Sequence, residues 1–238
     1  MGDIPYEVLQ QGGFVGPDFH GVFFFQNVYW RVVIPLVFGT CSLKPFDALA
    51  TMPAQVRRYL ESSHQRGREY ILLWADCLDY GLGFGTAIND LSAKPFVEEM
   101  AKSVDRELRS AIAELCQKNP NPNAMYSARH CVEKALKGFL SFQTGLTAEK
   151  AKSEFGHNLG RLMKEIKHLC PNSELISIEN QLDAFAPYQD QYSGRSFTRD
   201  ELWHAYRLAQ FAAAELARAI SGRNQRAVIH KSLQNIQQ

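Results

Sequence analysis

Long uninterrupted apolar runs are missing from this chain. The greasiest region, Val22 to Phe38, is broken by Gln26, Asn27 and Arg31. It therefore reads as strands and not as a membrane span, which needs about 20 apolar residues. No basic segment followed by an apolar stretch opens the chain, so no secretory leader is expected. Tyr6 stands where a myristoylation pattern needs Ser or Thr. Cysteine is scarce: Cys41, Cys77, Cys116, Cys131 and Cys170 are scattered without a Cys-x-x-Cys pair. An odd count without a framework excludes a disulfide scaffold, suits a reducing cytoplasm and suggests no metal site. Neither sign of charge is in excess, with 26 Lys/Arg against 25 Asp/Glu and a net charge of +1. Split at Leu91, the front carries 6 basic against 9 acidic residues, about −3, and the rest 20 against 16, about +4. A solvated surface explains so mild an asymmetry as easily as a polyanion partner does. Internal repeats and low-complexity tracts are also absent.

What is present changes texture near residue 91. In the front, residues 1 to about 20 form a glycine-rich entry with little periodicity. Val22 to Gln26 and Tyr29 to Phe38 are dense in Val, Ile, Phe, Tyr and Trp, which favours strands. Pro35 marks the second as an edge strand or a bulge. Pro53 starts a short helix at a position where its missing N–H costs nothing. Arg68 to Ala75 is a third strand candidate, and Asp76 to Gly85 reads as a loop. Gly81-x-Gly83-x-Gly85 invites a nucleotide-loop reading, but the third glycine of dinucleotide spacing and the Gly-Lys-Ser/Thr of a P-loop are lacking. No cofactor is implied.

From Lys94 onward, helices dominate. Met100, Val104, Leu108, Ala111 and Leu115 recur at three and four after Pro95. Met125, Ala128, Val132, Ala135, Leu136 and Phe139 put one apolar stripe on a central helix, with Gly145 as its stop. Glu133 precedes Lys137 by four residues, the favourable order for an ion pair. Leu159, Leu162, Met163, Ile166 and Leu169 form a third helix, and Ser173 to Phe185 a shorter one. Thr198-x-x-Glu201 is a capping box. It opens a last helix in which Leu202, Tyr206, Ala209, Ala213, Leu216 and Ile220 keep the regular step of a bundle. The fold expected is mainly α: an up-and-down helical bundle over 91–222. A small β-containing α/β region of unassigned role over 1–90 precedes it, and a basic tail over 223–238 follows.

The run Ala128-x-x-x-Val132-Glu133-Lys134-Ala135-Leu136-Lys137, then a loop, then His157-Asn158-Leu159-x-x-Leu162, resembles the centre of the HEPN family, the helical domain named for nucleotide binding in higher eukaryotes and prokaryotes. The likeness covers Leu91 to Gly222, with Asn158 where Asp is more usual. It implies a helical bundle, commonly a homodimer, in one of two modes. Some members are metal-independent ribonucleases using an Arg and a His four to six residues apart. Others lack that pair and bind RNA, nucleotides or a partner domain. HEPN domains often follow a minimal nucleotidyltransferase domain. Phe38-Gly39-Thr40 faintly matches the start of its motif, but no Asp-x-Asp pair follows to hold magnesium.

Three sets of candidate residues follow. Arg199 and His204 have the ribonuclease spacing, since His suits proton transfer near neutral pH and Arg stabilises phosphorane charge. Inside a regular helix they lie about 140° apart around the axis, and the plainer use is an exposed Arg199 and a His204 filling an interhelical gap. Arg195, flanked by Tyr188 and Tyr192, would hold a phosphate while the rings stack on bases, or the loop is stabilised by its own aromatics. His157, Lys134 and Lys137 match the family wording, with His157 capping or packing near a helix start and the two lysines on an outward face as alternatives to ligand contact. The expected function is a non-catalytic RNA- or nucleotide-binding module. A toxin-like or defence ribonuclease and a ligand-free dimerisation module are the alternatives.

Overall fold

Two paired strands lead the described chain. The computed structural model describes residues 19–35, 43–87, 91, 94–187, 189–190 and 194–235. Strands β1 (Phe19–Phe25) and β2 (Val28–Ile34) run antiparallel, Phe19 opposite Ile34 and Phe25 opposite Val28. Gln26 and Asn27 both take positive φ, 51° and 61°, the two-residue turn whose twist matches the strands it joins. Phe38-Gly39-Thr40 lies outside the described residues.

Helices α1 (Ala54–Ser62) and α2 (His64–Ala87) follow. The latter replaces both the strand expected at Arg68–Ala75 and the loop expected at Asp76–Gly85. Two features hid it. Tyr70 and the run Leu73 to Tyr80 are all buried, so the helix is apolar nearly all round and shows little amphipathic period. Gly83 is a packing seam and not part of a turn: a Cβ there would sit 3.1 Å from the Ala217 Cβ and 3.2 Å from the Ala217 carbonyl oxygen. Gly83 therefore lets two helices touch, and the whole 81–85 run is helical and not a loop.

The bundle continues with α3 (Pro95–Leu115), α4 (Ala124–Thr144), α5 (Leu159–Leu169) and α6 (Arg199–Ser221). Residues Glu174–Ala184 form a 3₁₀ helix. The central helix α4 ends where Gly145 enters the left-handed region at φ 74°. Thr198 caps α6 with its side chain while Glu201 bonds back to the Thr198 N–H, completing the capping box. The tail after Gly222 carries a further helix, α7 (Gln225–Asn235), lying on α2.

Helix α4 is the axis, packed between α3 and α6, and α6 also packs on α2. One hydrophobic core joins Phe23 of the hairpin, Tyr70 of α2, Leu136 of α4 and Tyr206 of α6. Each such side chain, fully buried, contributes about 1.5–3 kcal/mol. The Tyr206 hydroxyl accepts from the Val22 N–H at 3.0 Å and donates to Gln210 Oε1 at 3.0 Å. The hairpin is thereby fixed to the last bundle helix by a buried polar bridge, in which the Gln210 Nε2 has no hydrogen-bond partner among the described residues. Mostly helical, with a small two-stranded sheet at the front, the molecule has the architecture its sequence implies.

Candidate functional site

Arg129, Glu133, Lys137 and Ser141 recur at steps of four along α4 and are all buried. They form a polar stripe beside the apolar one. Glu133 is its centre, with 0% of its surface exposed. Lys137 donates to Glu133 Oε1 at 2.7 Å and to the Gly156 carbonyl at 2.6 Å. Arg129 donates to the His157 carbonyl at 2.9 Å and lies 3.8 Å from Glu133 Oε2. His157 Nδ1 sits 3.0 Å and 3.2 Å from the two carboxylate oxygens. Burial pushes the Glu133 carboxyl up, but hydrogen bonds and charge from Lys137 and His157 outweigh it and hold the group below the ordinary carboxylate range. The result is a clasp that pins the Gly156–His157 loop onto the central helix. Lys137 is thus buried, contrary to the outward face expected for it, because its ammonium has two fixed acceptors inside the fold. Lys134, half-buried, lies off the stripe.

The clasp borders an open groove of about 720 Å³. One wall holds Arg129, His157 and the start of α5, where Asn158 caps the helix by accepting from the Arg161 N–H at 2.9 Å. The His157 side chain is 55% exposed, so its ring is held on one edge and reaches solvent on the other. The opposite wall is the end of the 3₁₀ helix and the chain after it: Glu179, Asp183, Pro187 and Gln189. Glu179 is bridged to Lys167 at 2.8 Å, while Asp183 is exposed.

Arg195 is paired with Asp190, the residue that follows the groove-lining Gln189. The pair is 3.4 Å apart, and the Arg195 guanidinium lies 5.1 Å from the centre of the Phe197 ring. The Asp190 carbonyl in turn accepts from the Tyr126 hydroxyl of α4 at 2.7 Å. Tyr188 and Tyr192 lie outside the described residues.

Arg199 and His204 have separate surroundings within the chain. Arg199 bonds to the Asn27 carbonyl, and its own carbonyl accepts from the Tyr29 hydroxyl at 2.6 Å, tying the start of α6 to the hairpin turn. His204 faces Arg207, with Nδ1 3.4 Å from that guanidinium. Burial first, and Arg207 second, lower its pKa from the ordinary 6.5. Among the described residues, no hydrogen-bond partner is common to the two.

A second charged centre went unread in the sequence. Arg218 of α6 donates to Asp79 at 2.7 Å, to Asp76 at 2.6 Å and to Glu215 at 2.6 Å. Arg226 of α7 bonds the other Asp76 oxygen at 2.6 Å. Asp79 also accepts from the backbone N–H groups of Gln225 and Arg226 at 2.7 Å and 3.1 Å, capping α7 from another helix. Burial alone pushes the Arg218 pKa down, but its three carboxylates raise it overall, so the group stays protonated. The signal for this centre was the Asp76-x-x-Asp79 and Glu215-x-x-Arg218 spacing, which places each pair on one helix face.

Among the described residues, no group of three His, Cys, Asp or Glu is placed to hold a metal ion. No described helix is long and apolar enough to cross a membrane. In comparisons with known proteins, no family model matches this chain, and neither the curated proteins nor the solved structures yield a match.

Proposed function

We propose that this chain is a non-catalytic RNA- or nucleotide-binding module of HEPN-like type, with the groove beside the Glu133 clasp as its site. The observation that carries the reading is the groove's two-sided chemistry. At about 720 Å³ it falls within the range typical of small-ligand sites, about 300–1,000 Å³. On one wall, the first turn of α5 at Leu159 and Gly160 offers the positive end of the helix dipole and N–H groups that lack intrahelical acceptors, a natural phosphate seat beside the exposed edge of the His157 ring. On the other, Asp183 accepts hydrogen bonds from ribose hydroxyls or base amino groups. Arg195, resting on Phe197, extends the positive rim toward a following phosphate.

Fluorescence titration with mononucleotides and short single-stranded RNA at low salt tests the reading. Saturable binding that weakens as salt rises is expected. His157→Ala should weaken mononucleotides and RNA alike, whereas Arg195→Ala should weaken RNA more than mononucleotides. Absence of binding by the wild-type chain at low salt overturns the proposal.

A further inference from the structure

A separate cavity of about 180 Å³ lies between α2, α6 and the 3₁₀ helix, with Arg226 of α7 at its edge. Leu72, Leu73, Ile178, Leu208 and Phe211 give it apolar walls. Charged side chains line it too, and their pairing decides what it can hold. Glu69 is bonded to Arg66. Asp76 gives one oxygen to Arg218 and the other to Arg226, each at 2.6 Å. Arg226 is thereby balanced, and it also donates to the Leu72 carbonyl at 3.0 Å. Arg207 differs. Among the described residues its guanidinium meets two long, uncharged acceptors, Gln181 Oε1 at 3.3 Å and His204 Nδ1 at 3.4 Å. Among the described residues, no carboxylate forms a salt bridge with it. A half-buried guanidinium with spare donors beside an apolar hollow is suited to one carboxylate, which it can bind in a two-pronged fashion.

We infer that this cavity binds a small monocarboxylate with a compact apolar body, the carboxylate on Arg207 and the body against Leu72, Ile178, Leu208 and Phe211. Size and charge both set the class. An apolar cavity of about 150 Å³ accepts benzene, so this one admits a single ring with a short arm. One uncommitted cation balances one negative charge, which favours a carboxylate over a phosphate dianion. A neutral isostere would fill the same hydrocarbon space but leave the guanidinium in its long contacts.

Benzoate and benzamide are the probes, titrated into the full chain and followed by amide NMR and calorimetry. Benzoate should give saturable shifts at Leu72, Leu208 and Phe211, and benzamide should bind about tenfold more weakly, the loss of one charge-assisted pair. Arg207→Gln should reduce benzoate to the benzamide level. Leu208→Trp, which fills the hollow, should abolish both while the remaining spectrum stays folded. No saturable benzoate shift at millimolar concentration overturns the inference, as does equal binding of the two probes by the wild-type chain. That comparison needs no variant, so it stands even where a substitution disturbs the fold.

Discussion

The two buried charge centres are built on opposite plans. At Glu133 a single carboxylate is surrounded by Lys137, His157 and Arg129, and one of those partners, His157, is half in solvent at the lip of a groove. At Arg218 a guanidinium is enclosed by Asp76, Asp79 and Glu215 and its side chain is 4% exposed, with the tail helix docked on top. The enclosed centre joins α2, α6 and α7, and meets the smaller cavity only through the Asp76–Arg226 pair at its edge. The half-open one fixes a loop and presents a ring and a helix start to solvent. Burial of charge is common to both, so burial alone does not mark a functional site. The difference lies in how far the network opens to water: the His157 side chain is 55% exposed and that of Arg226 27%.

Breaking the enclosed centre should cost most. Arg218→Leu leaves three buried carboxylates without their shared cation, and breaking such a pair costs about 3–5 kcal/mol. Urea denaturation checks this, and limited proteolysis should show the tail cut first, because Asp79 caps α7 only while it is held in place. A loss under 1 kcal/mol, about the value of an exposed pair, would erase the contrast between the two centres.

Glu133→Gln comes next. It weakens charge-assisted hydrogen bonds that are individually worth about 1.5–3 kcal/mol, and it should free the Gly156–His157 loop. Its effect depends on pH in a definite direction. Because the folded pKa lies below the ordinary 4.5, the carboxylate's contribution is complete above that value and shrinks as pH falls through and below it. The stability gap between wild type and Glu133→Gln should therefore narrow on acidification. A gap that widens would contradict the clasp.

Which parts were readable in the sequence follows from the same contrast. The central helix was legible because Met125, Val132, Leu136 and Phe139 mark one face, and its stop was legible in Gly145. Thr198 and Glu201 announced the last helix. Helix α2 was not legible, since burial on nearly all sides removed its period and its glycines resembled a turn. The Arg218 centre joins residues 139 and 142 positions apart, and no local pattern encodes such pairing. The clasp was half visible. The Glu133–Lys137 pair was expected, but reading the lysines as outward missed the four-residue repeat of Arg129, Glu133, Lys137 and Ser141. The groove itself is formed by chain segments on either side of α5 and has no signature of its own.

A smaller effect concerns His204. Its imidazole should titrate below 6.5, and Arg207→Gln should raise the midpoint only part of the way, because burial is the larger cause and remains. A histidine NMR titration measures this, and a midpoint at or above 6.5 in the wild type would contradict the assigned surroundings. The smallest expected effect is none at all. Expression of the wild-type chain and of His204→Ala should give equal growth, since the proposed module cleaves nothing. Relief of growth inhibition by that substitution would favour the ribonuclease reading.

The most direct test of the central claim is amide NMR of the full chain titrated with a mononucleotide and a short single-stranded RNA at low salt. The groove account predicts saturable shifts concentrated at His157, Leu159, Gly160 and Asp183, with RNA extending them to Arg195. Saturable shifts centred elsewhere, or a spectrum that neither ligand perturbs, would contradict it.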